Sequence, residues 1–172
     1  MSINSHLDSK VKRVNQELLD SIAKVARSSP RLRQNYNFHD PSEKVQRFLN
    51  VLQPGTYVRP HRHRRTLGVN GFEFFLALQG ELGILIMDES GQITHQERVR
   101  ADGPTRGVEL LEGMYHTLVT LAPDTIILEL KEGPYNASTD KEFLDAFPSE
   151  GSPAARQQVE IWQECFAENQ TT

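Results

Sequence analysis

The sequence has few cysteines, little net charge and no long apolar run, and each shortage narrows the class of protein. A single cysteine, Cys165, excludes an internal disulfide. The formal net charge of −4, with acidic and basic residues mixed along the chain, argues against a general nucleic-acid-binding surface. No stretch approaches the ~18 consecutive apolar residues of a transmembrane helix, and the first residues lack the apolar core of a secretion signal. We therefore expect a cytoplasmic protein without nucleic-acid or membrane partners.

The apolar pattern divides the 172 residues into three zones, which we interpret as parts of one structural domain. In residues 1–44, apolar side chains recur every three or four positions and predict an N-terminal helix, followed by a polar connector. The members of this helical stripe are Leu7, Val11, Val14, Leu18, Ile22 and Val25. Asn15 is a candidate cap for a shorter helix, because its side chain can accept hydrogen bonds from the free amides of the first turn.

The middle zone, residues 45–133, changes to short β-branched and aromatic runs separated by glycine, proline and aspartate. This pattern is typical of an antiparallel sandwich or barrel. The stretch DESG, which begins at Asp88, predicts a hairpin turn between two strands. Residues 134–172 form a C-terminal extension, in which a helix is predicted from about Pro153 because proline suits the first helical turn. Its expected buried side chains are Val159, Trp162 and Phe166.

The stretch PGTYVRPHRH ends in two histidines, His61 and His63, which project to the same side if the segment is extended. Glu73 opens an apolar run, where an unpaired carboxylate is costly, and His116 follows a glycine turn. Each residue alone has an ordinary explanation as a solvated, ion-paired or hydrogen-bonded side chain. Together they supply three imidazoles and one carboxylate, which suit Fe(II), Mn(II), Ni(II), Co(II) or Zn(II) and leave positions open for water or substrate.

This order of residues resembles the cupin signature, in which Gly-x5-His-x-His is followed by a glutamate and, after six more residues, by a glycine. Here Gly55 lies five residues before the HRH stretch, and six residues separate Glu73 from Gly80. The second cupin motif, Pro-x-Gly-x-x-His, is present as LEGMYH, with leucine in place of proline. The resemblance implies one divalent transition metal, of unknown identity, with the ligands His61, His63, Glu73 and His116.

The chain departs from the cupin pattern in one spacing. Nine residues, RRTLGVNGF, separate His63 from Glu73, where the cupins have three or four. The extra residues either loop out and leave the strand register unchanged, or they pull Glu73 away from the ion. The sequence leaves both alternatives open.

A narrower resemblance covers most of the chain. The phrases SPRLRQNYNFHD, VQRFLNVLQPGTYVRPHRH, ILELKEGPY and PSEGSPAA are similar to those of WbuC-type cupin-fold metalloproteins. These are small bacterial proteins, some of them encoded among lipopolysaccharide O-antigen genes. The resemblance implies a mostly β cupin jelly-roll barrel with an N-terminal helix and a C-terminal helical extension, but it implies no particular substrate.

Several charged and aromatic residues are expected to flank the barrel cavity. Glu129 either faces inward, where it orients a ligand histidine or acts as a general base, or it is an outward-facing strand charge. Because Glu129 and Lys131 share a strand face, an ion pair between them is a further alternative. Because arginine matches carboxylate and phosphate geometry, an arginine cluster at the mouth favours an anionic substrate. For Arg31, the alternative is a solvated turn after the first helix. The candidate substrate-binding residues are Tyr57, Arg59, Lys131, Arg31 and Arg47.

Two functions follow from these observations. The first is a metal-dependent enzyme, an oxygenase or an isomerase or epimerase, that acts on a small anionic or sugar-derived molecule. Through the resemblance, this enzyme is linked to bacterial surface polysaccharide metabolism. The second is a non-catalytic module that uses the metal to bind or sense a small molecule. We also expect a homodimer, because an unpaired strand edge exposes backbone donors and acceptors unless the first helix covers it.

Overall fold

The computed structural model describes residues 10–65 and 71–167, and within these ranges the chain is mostly β, as predicted. The strands form two five-stranded antiparallel sheets, and along the chain one helix precedes them and another follows them. In spatial order, the first sheet contains β1 (Arg33–Asn37), β2 (Val45–Leu52), β9 (Thr125–Glu132), β4 (Glu73–Gln79) and β7 (Gly107–Leu110). The second contains β10 (Glu142–Phe143), β3 (His61–Arg62), β8 (Tyr115–Thr120), β5 (Glu81–Met87) and β6 (Ile93–Arg100).

The first helix, α1 (Gln16–Ser28), begins where Asn15 caps it. The Asn15 side chain accepts a hydrogen bond of 3.0 Å from the Leu18 amide, which confirms the shorter helix. The predicted stripe is wrong in part. Leu7 lies outside the described residues, and the valines of the stripe, Val11, Val14 and Val25, are exposed.

The buried face of α1 is narrower than the valine pattern suggested. It consists of Leu19, Ile22, Ala23 and Ala26, which pack against the outer face of the first sheet. Because the cap sets the helix start after Val14, the residues before it cannot continue the helical face. The two alanines allow close packing on Leu49 and Val51 of β2.

The polar connector that we expected after α1 contains strand β1. It pairs with β2 in a register that runs from Arg33 opposite Leu52 to Asn37 opposite Phe48. β1 is an edge strand and most of its side chains are exposed, so no alternation of apolar and polar residues marks it in the sequence. The edges at β1, β7, β10 and β6 have no further strand partner among the described residues, and the expected homodimer stays a prediction.

The inner face of the first sheet changes from apolar to charged along its strands. At one end Ile127 packs with Leu52 and Ala77 in the core between the two sheets. Alternation along β9 puts Glu129 and Lys131 on the same face as Ile127, and both are buried. One end of the space between the sheets is therefore filled by apolar side chains, while the other presents buried polar groups.

The second helix, α2 (Pro153–Glu164), starts as predicted, with Ser152 accepting from the Ala155 amide at 3.1 Å. Val159, Trp162 and Phe166 are buried against the second sheet, which confirms the predicted contact side. The predicted hairpin also forms between β5 and β6, where the Asp88 carboxylate accepts from the Ser90 amide at 2.9 Å. Neither helix of the described ranges has the length and apolar character needed to cross a membrane.

Candidate metal centre

Three histidines from two neighbouring strands meet at the polar end of the barrel. β3 pairs with β8 so that His61 lies directly opposite His116, and His63 follows β3 on the same side of the chain as His61. One ring nitrogen of each histidine lies within 4.8 Å of the others, and all three side chains are buried. The structure therefore brings together the three histidines that the sequence singled out.

The orientation of each imidazole is fixed by a backbone carbonyl. Nδ1 of His61 lies 2.8 Å from the Arg59 oxygen and Nδ1 of His116 lies 3.0 Å from the Met114 oxygen. Nδ1 of His63 is held in the same way by the Asp140 carbonyl. Because a carbonyl only accepts hydrogen bonds, Nδ1 carries the proton in each ring. Each Nε2 is then left with a free lone pair, which is the form in which histidine binds a metal.

Glu73 lies beside this cluster despite the long spacing that precedes it. It is buried, with one carboxylate oxygen 3.1 Å from Nε2 of His63 and the other 3.3 Å from Nε2 of His116. Nε2 of His63 makes no hydrogen bond in the described structure. Carboxylate oxygens that face imidazole lone pairs repel them, and a shared cation removes this conflict. The nine-residue spacing therefore does not carry Glu73 away from the histidines, and the donor set fits a divalent metal.

The charge states of these side chains also suit a cation. Burial lowers the pKa of His61 well below 6.5, with a further contribution from Lys141, and burial is the main cause that lowers the pKa of His116. Burial alone would raise the pKa of Glu73, but His116, His63 and Lys131 together lower it to about 2. Near neutral pH, His61 and His116 are therefore neutral and Glu73 is anionic, so a metal can bind these three side chains without first displacing protons.

Asp140 connects the loop between β9 and β10 to the site. Its carbonyl holds His63, while its buried carboxylate accepts from Lys131 at 2.8 Å and from Arg65 at 3.2 Å. No sequence motif marks Asp140, Arg65 or Lys141. The only sequence signal for them is the charge of the side chains, and tertiary contacts alone place them beside the motif residues.

Comparison with known proteins assigns the family. A family model described as a domain of unknown function, DUF6016, matches residues 14–99, which is half of the 172 residues. The chain belongs to the DUF6016 family. No curated protein matches the sequence.

Solved structures similar to this DUF6016 chain share its fold. The capsular polysaccharide assembling protein CapF of Staphylococcus aureus has a TM-score of 0.55 and 19% identity, with 67% of this chain and 32% of CapF covered. An oxalate oxidase in complex with the substrate analogue glycolate has a TM-score of 0.52 and 16% identity, with 83% of this chain and 76% of the oxidase covered. The chain thus spans about a third of CapF. Both are cupins, so the predicted cupin jelly roll is confirmed.

A cavity of about 1060 Å³ in the DUF6016 chain is lined by His61, His116 and Glu73. Among the residues predicted to bind substrate, Arg31, Arg59 and Lys131 line it. Arg31 is not a free cation, since its guanidinium lies 2.8 Å from the Glu150 carboxylate. Arg33 also lines the cavity and lies 2.9 Å from the same carboxylate.

Two predicted substrate-binding residues lie outside this cavity lining. The hydroxyl of Tyr57 donates to the Pro148 carbonyl at 2.7 Å, and its ring stacks on Trp162, so it belongs to the core under α2. Arg47 shares the outer face of β2 with Leu49, and its guanidinium binds Glu43 at 2.6 Å. The alternation of β2 explains this placement, because the cavity-lining residues of that strand are Gln46, Phe48 and Asn50.

Glu129 faces the cavity, which contradicts the outward-facing alternative. It lies opposite Phe48 on one side and Phe75 on the other, and the Asn50 amide is 3.4 Å from its carboxylate. Glu129 does not orient a ligand histidine, since all three Nδ1 atoms are held by backbone carbonyls. Burial, and then the charge of Glu73, raise the pKa of Glu129 to about 7. This carboxyl is suited to exchange a proton with a molecule in the cavity near neutral pH.

Replacing Glu129 by glutamine is expected to change the pH dependence of stability. The unfolded chain releases this proton near pH 4.5, whereas the folded protein holds it to about pH 7. The folded state therefore gains stability below pH 4.5 that is lost as the pH rises through 7. We compare the free energy of unfolding in urea of Glu129→Gln with that of the metal-free wild type. The difference, variant minus wild type, should be higher at pH 8 than at pH 5 by roughly 1–3 kcal/mol.

The matched control for this prediction is Glu109→Gln, because Glu109 is an exposed glutamate on β7 of the same sheet. Its effect on the free energy of unfolding should be nearly the same at both pH values. An equal effect of Glu129→Gln at pH 5 and pH 8 would contradict the raised pKa of Glu129.

Proposed function

We propose that this chain is a metal-dependent enzyme that acts on a small anionic molecule. His61, His63 and His116 would hold one divalent transition metal, with Glu73 as the fourth ligand. The observation that supports this most directly is the set of three Nδ1 contacts to backbone carbonyls, which leaves three Nε2 lone pairs close together. Three imidazoles and one carboxylate suit Fe, Mn, Ni, Co or Zn.

In such an enzyme, different residues of the cavity would have different roles. When bound, the metal would act as a Lewis acid or activate water or dioxygen. Glu129 takes or gives a proton at its carboxylate oxygens. Phe75 and Leu118 line the cavity beside the histidines and keep water away from that part of the site. The positive side chains Arg59 and Lys131 face the same space and attract an anion.

We also propose three finer properties, which the sequence phrases shared with WbuC-type proteins support. These are the WbuC type, a sugar-derived substrate, and the link to bacterial surface polysaccharide metabolism. The competing function is a non-catalytic module that binds or senses a small molecule through the metal. The size of the cavity, about 1060 Å³, supports the binding of a small molecule in both cases.

The test starts from protein purified without a histidine tag. Metal analysis identifies the ion, and oxygen-uptake and isomerisation assays are run with a panel of carboxylic acids and sugar acids. We expect about one metal per chain, with exchangeable water in the coordination shell by X-ray absorption, and turnover of at least one acid. A closed shell of protein atoms without turnover would favour the binding module. Protein that is metal-free and refuses to reload would contradict both functions.

A further inference from the structure

Lys141 directly follows Asp140, the residue that connects the loop to His63 and to Lys131. The contact between the Asp140 carbonyl and His63 places the backbone of Lys141 next to the histidine cluster. Lys141 lines the cavity together with His61 and His116.

Lys141 differs from the other cations of the cavity because its ammonium group has no hydrogen-bond or ion-pair partner among the described residues. Lys131 binds Asp140 at 2.8 Å, Arg31 and Arg33 share Glu150, and Arg59 lies 3.2 Å from the Leu144 carbonyl. Within residues 10–65 and 71–167, the Lys141 side chain makes no hydrogen bond and no ion pair, although its ammonium group carries three donors.

The surroundings of Lys141 make this unpaired charge unfavourable. Its side chain is accessible to water inside the cavity, yet the cavity walls still desolvate it. This desolvation, followed by repulsion from Lys131, lowers the pKa of Lys141, although the nearby carboxylates Glu129, Glu73 and Asp140 act in the opposite direction. An anion bound next to the ammonium would remove the penalty, and it would also supply the acceptor that the three donors lack.

We propose that Lys141 pairs with the carboxylate of a short carboxylic acid whose other oxygen donor faces the three Nε2 atoms. This inference rests on the proposed metal site. The charges around Lys141 suit a monoanion better than a phosphate dianion. Lys141 is the one unpaired cation of the described cavity, and the acids Glu73, Glu129 and Asp140 around it repel additional negative charge. The substrate class is therefore a small monocarboxylic hydroxy or keto acid.

The experiment uses the full chain loaded with cobalt(II), whose visible absorption changes when a ligand binds to the ion. Glycolate is the probe, glycolamide is its neutral counterpart, and inorganic phosphate is the dianionic comparison. We expect Lys141→Met to weaken glycolate binding roughly 10- to 100-fold, which is the loss of one hydrogen-bonded charge pair. Glycolamide binding and cobalt affinity should stay within about twofold of the wild type, because neither uses the ammonium charge. Lys141→Arg should restore part of the glycolate affinity.

Lys24→Met is the matched control, since Lys24 is an exposed lysine on α1, outside the cavity lining. Normal cobalt uptake, together with equal glycolate affinity in the wild type and Lys141→Met, would overturn the Lys141 assignment and leave the metal site intact. Tighter binding of phosphate than of glycolate would overturn the proposed substrate class. Failure of the wild type to take up cobalt would instead contradict the proposed function, and the Lys141 assignment with it.

Discussion

Replacement of His61 by alanine is expected to weaken the binding of a divalent metal by about 100-fold or more. Loss of an outer-shell partner alone typically costs 10–100-fold in metal affinity, and His61 offers a ligand atom directly. The variant would keep His63, His116 and Glu73, which together hold an ion less well than four ligands. The measurement is metal content after dialysis, followed by competition with a chromophoric chelator. The circular dichroism spectrum should retain most of the β signal.

His95→Ala is the control for this variant. His95 lies on edge strand β6, where its ring is exposed and contacts Glu97 at 2.7 Å, away from the cavity. We expect the control to keep a full complement of metal. Stoichiometric metal in His61→Ala would mean that the ligand assignment is wrong.

Replacement of Trp162 by alanine is expected to lower the free energy of unfolding by ~3–5 kcal/mol. Trp162 is 2% exposed, and its ring stacks on Tyr57 with 5.5 Å between centroids and an interplanar angle of 5°. A second ring, that of Phe147, lies 5.6 Å away. The substitution removes a large apolar surface and leaves a cavity between α2 and the second sheet. Urea unfolding followed by circular dichroism measures the difference.

Ile161→Ala is the matched control on the same helix, because the neighbouring Ile161 is 54% exposed. It should change stability by less than about 1 kcal/mol. If the two variants unfold at the same urea concentration, α2 does not contribute to the core in the way that the structure indicates.

Features that depend on local chemistry could be predicted from the sequence. Asn15 begins α1 because one side chain satisfies a free amide, and Asp88 supports its hairpin in a similar way. The three histidines were also predictable, because spacing brings His61 and His63 to one face of an extended segment, and His116 was marked by the glycine turn before it and by the resemblance to the cupins. In each case, the information lies within a few residues of the feature or in a known motif.

Features that depend on strand register or on tertiary contact could not be predicted. β1 shows no alternation, since most of its side chains are exposed. Whether Arg47 or its neighbour Phe48 faces the cavity depends on the register of the strand. A shift of one residue would exchange the two faces. Lys141 carries no motif, and it reaches the site only because the Asp140 carbonyl meets His63.

The adjacency of Asp140 and Lys141 has a consequence for how the two ligands of the site bind. One loop orients the ring of His63, a proposed metal ligand, and carries Lys141, the proposed partner of the acid, so binding of either ligand would restrict the same short segment of backbone. Occupancy by the metal and occupancy by the acid are then thermodynamically linked, and linkage is reciprocal. If the bound metal changes the affinity for the acid by some factor, the bound acid changes the affinity for the metal by the same factor.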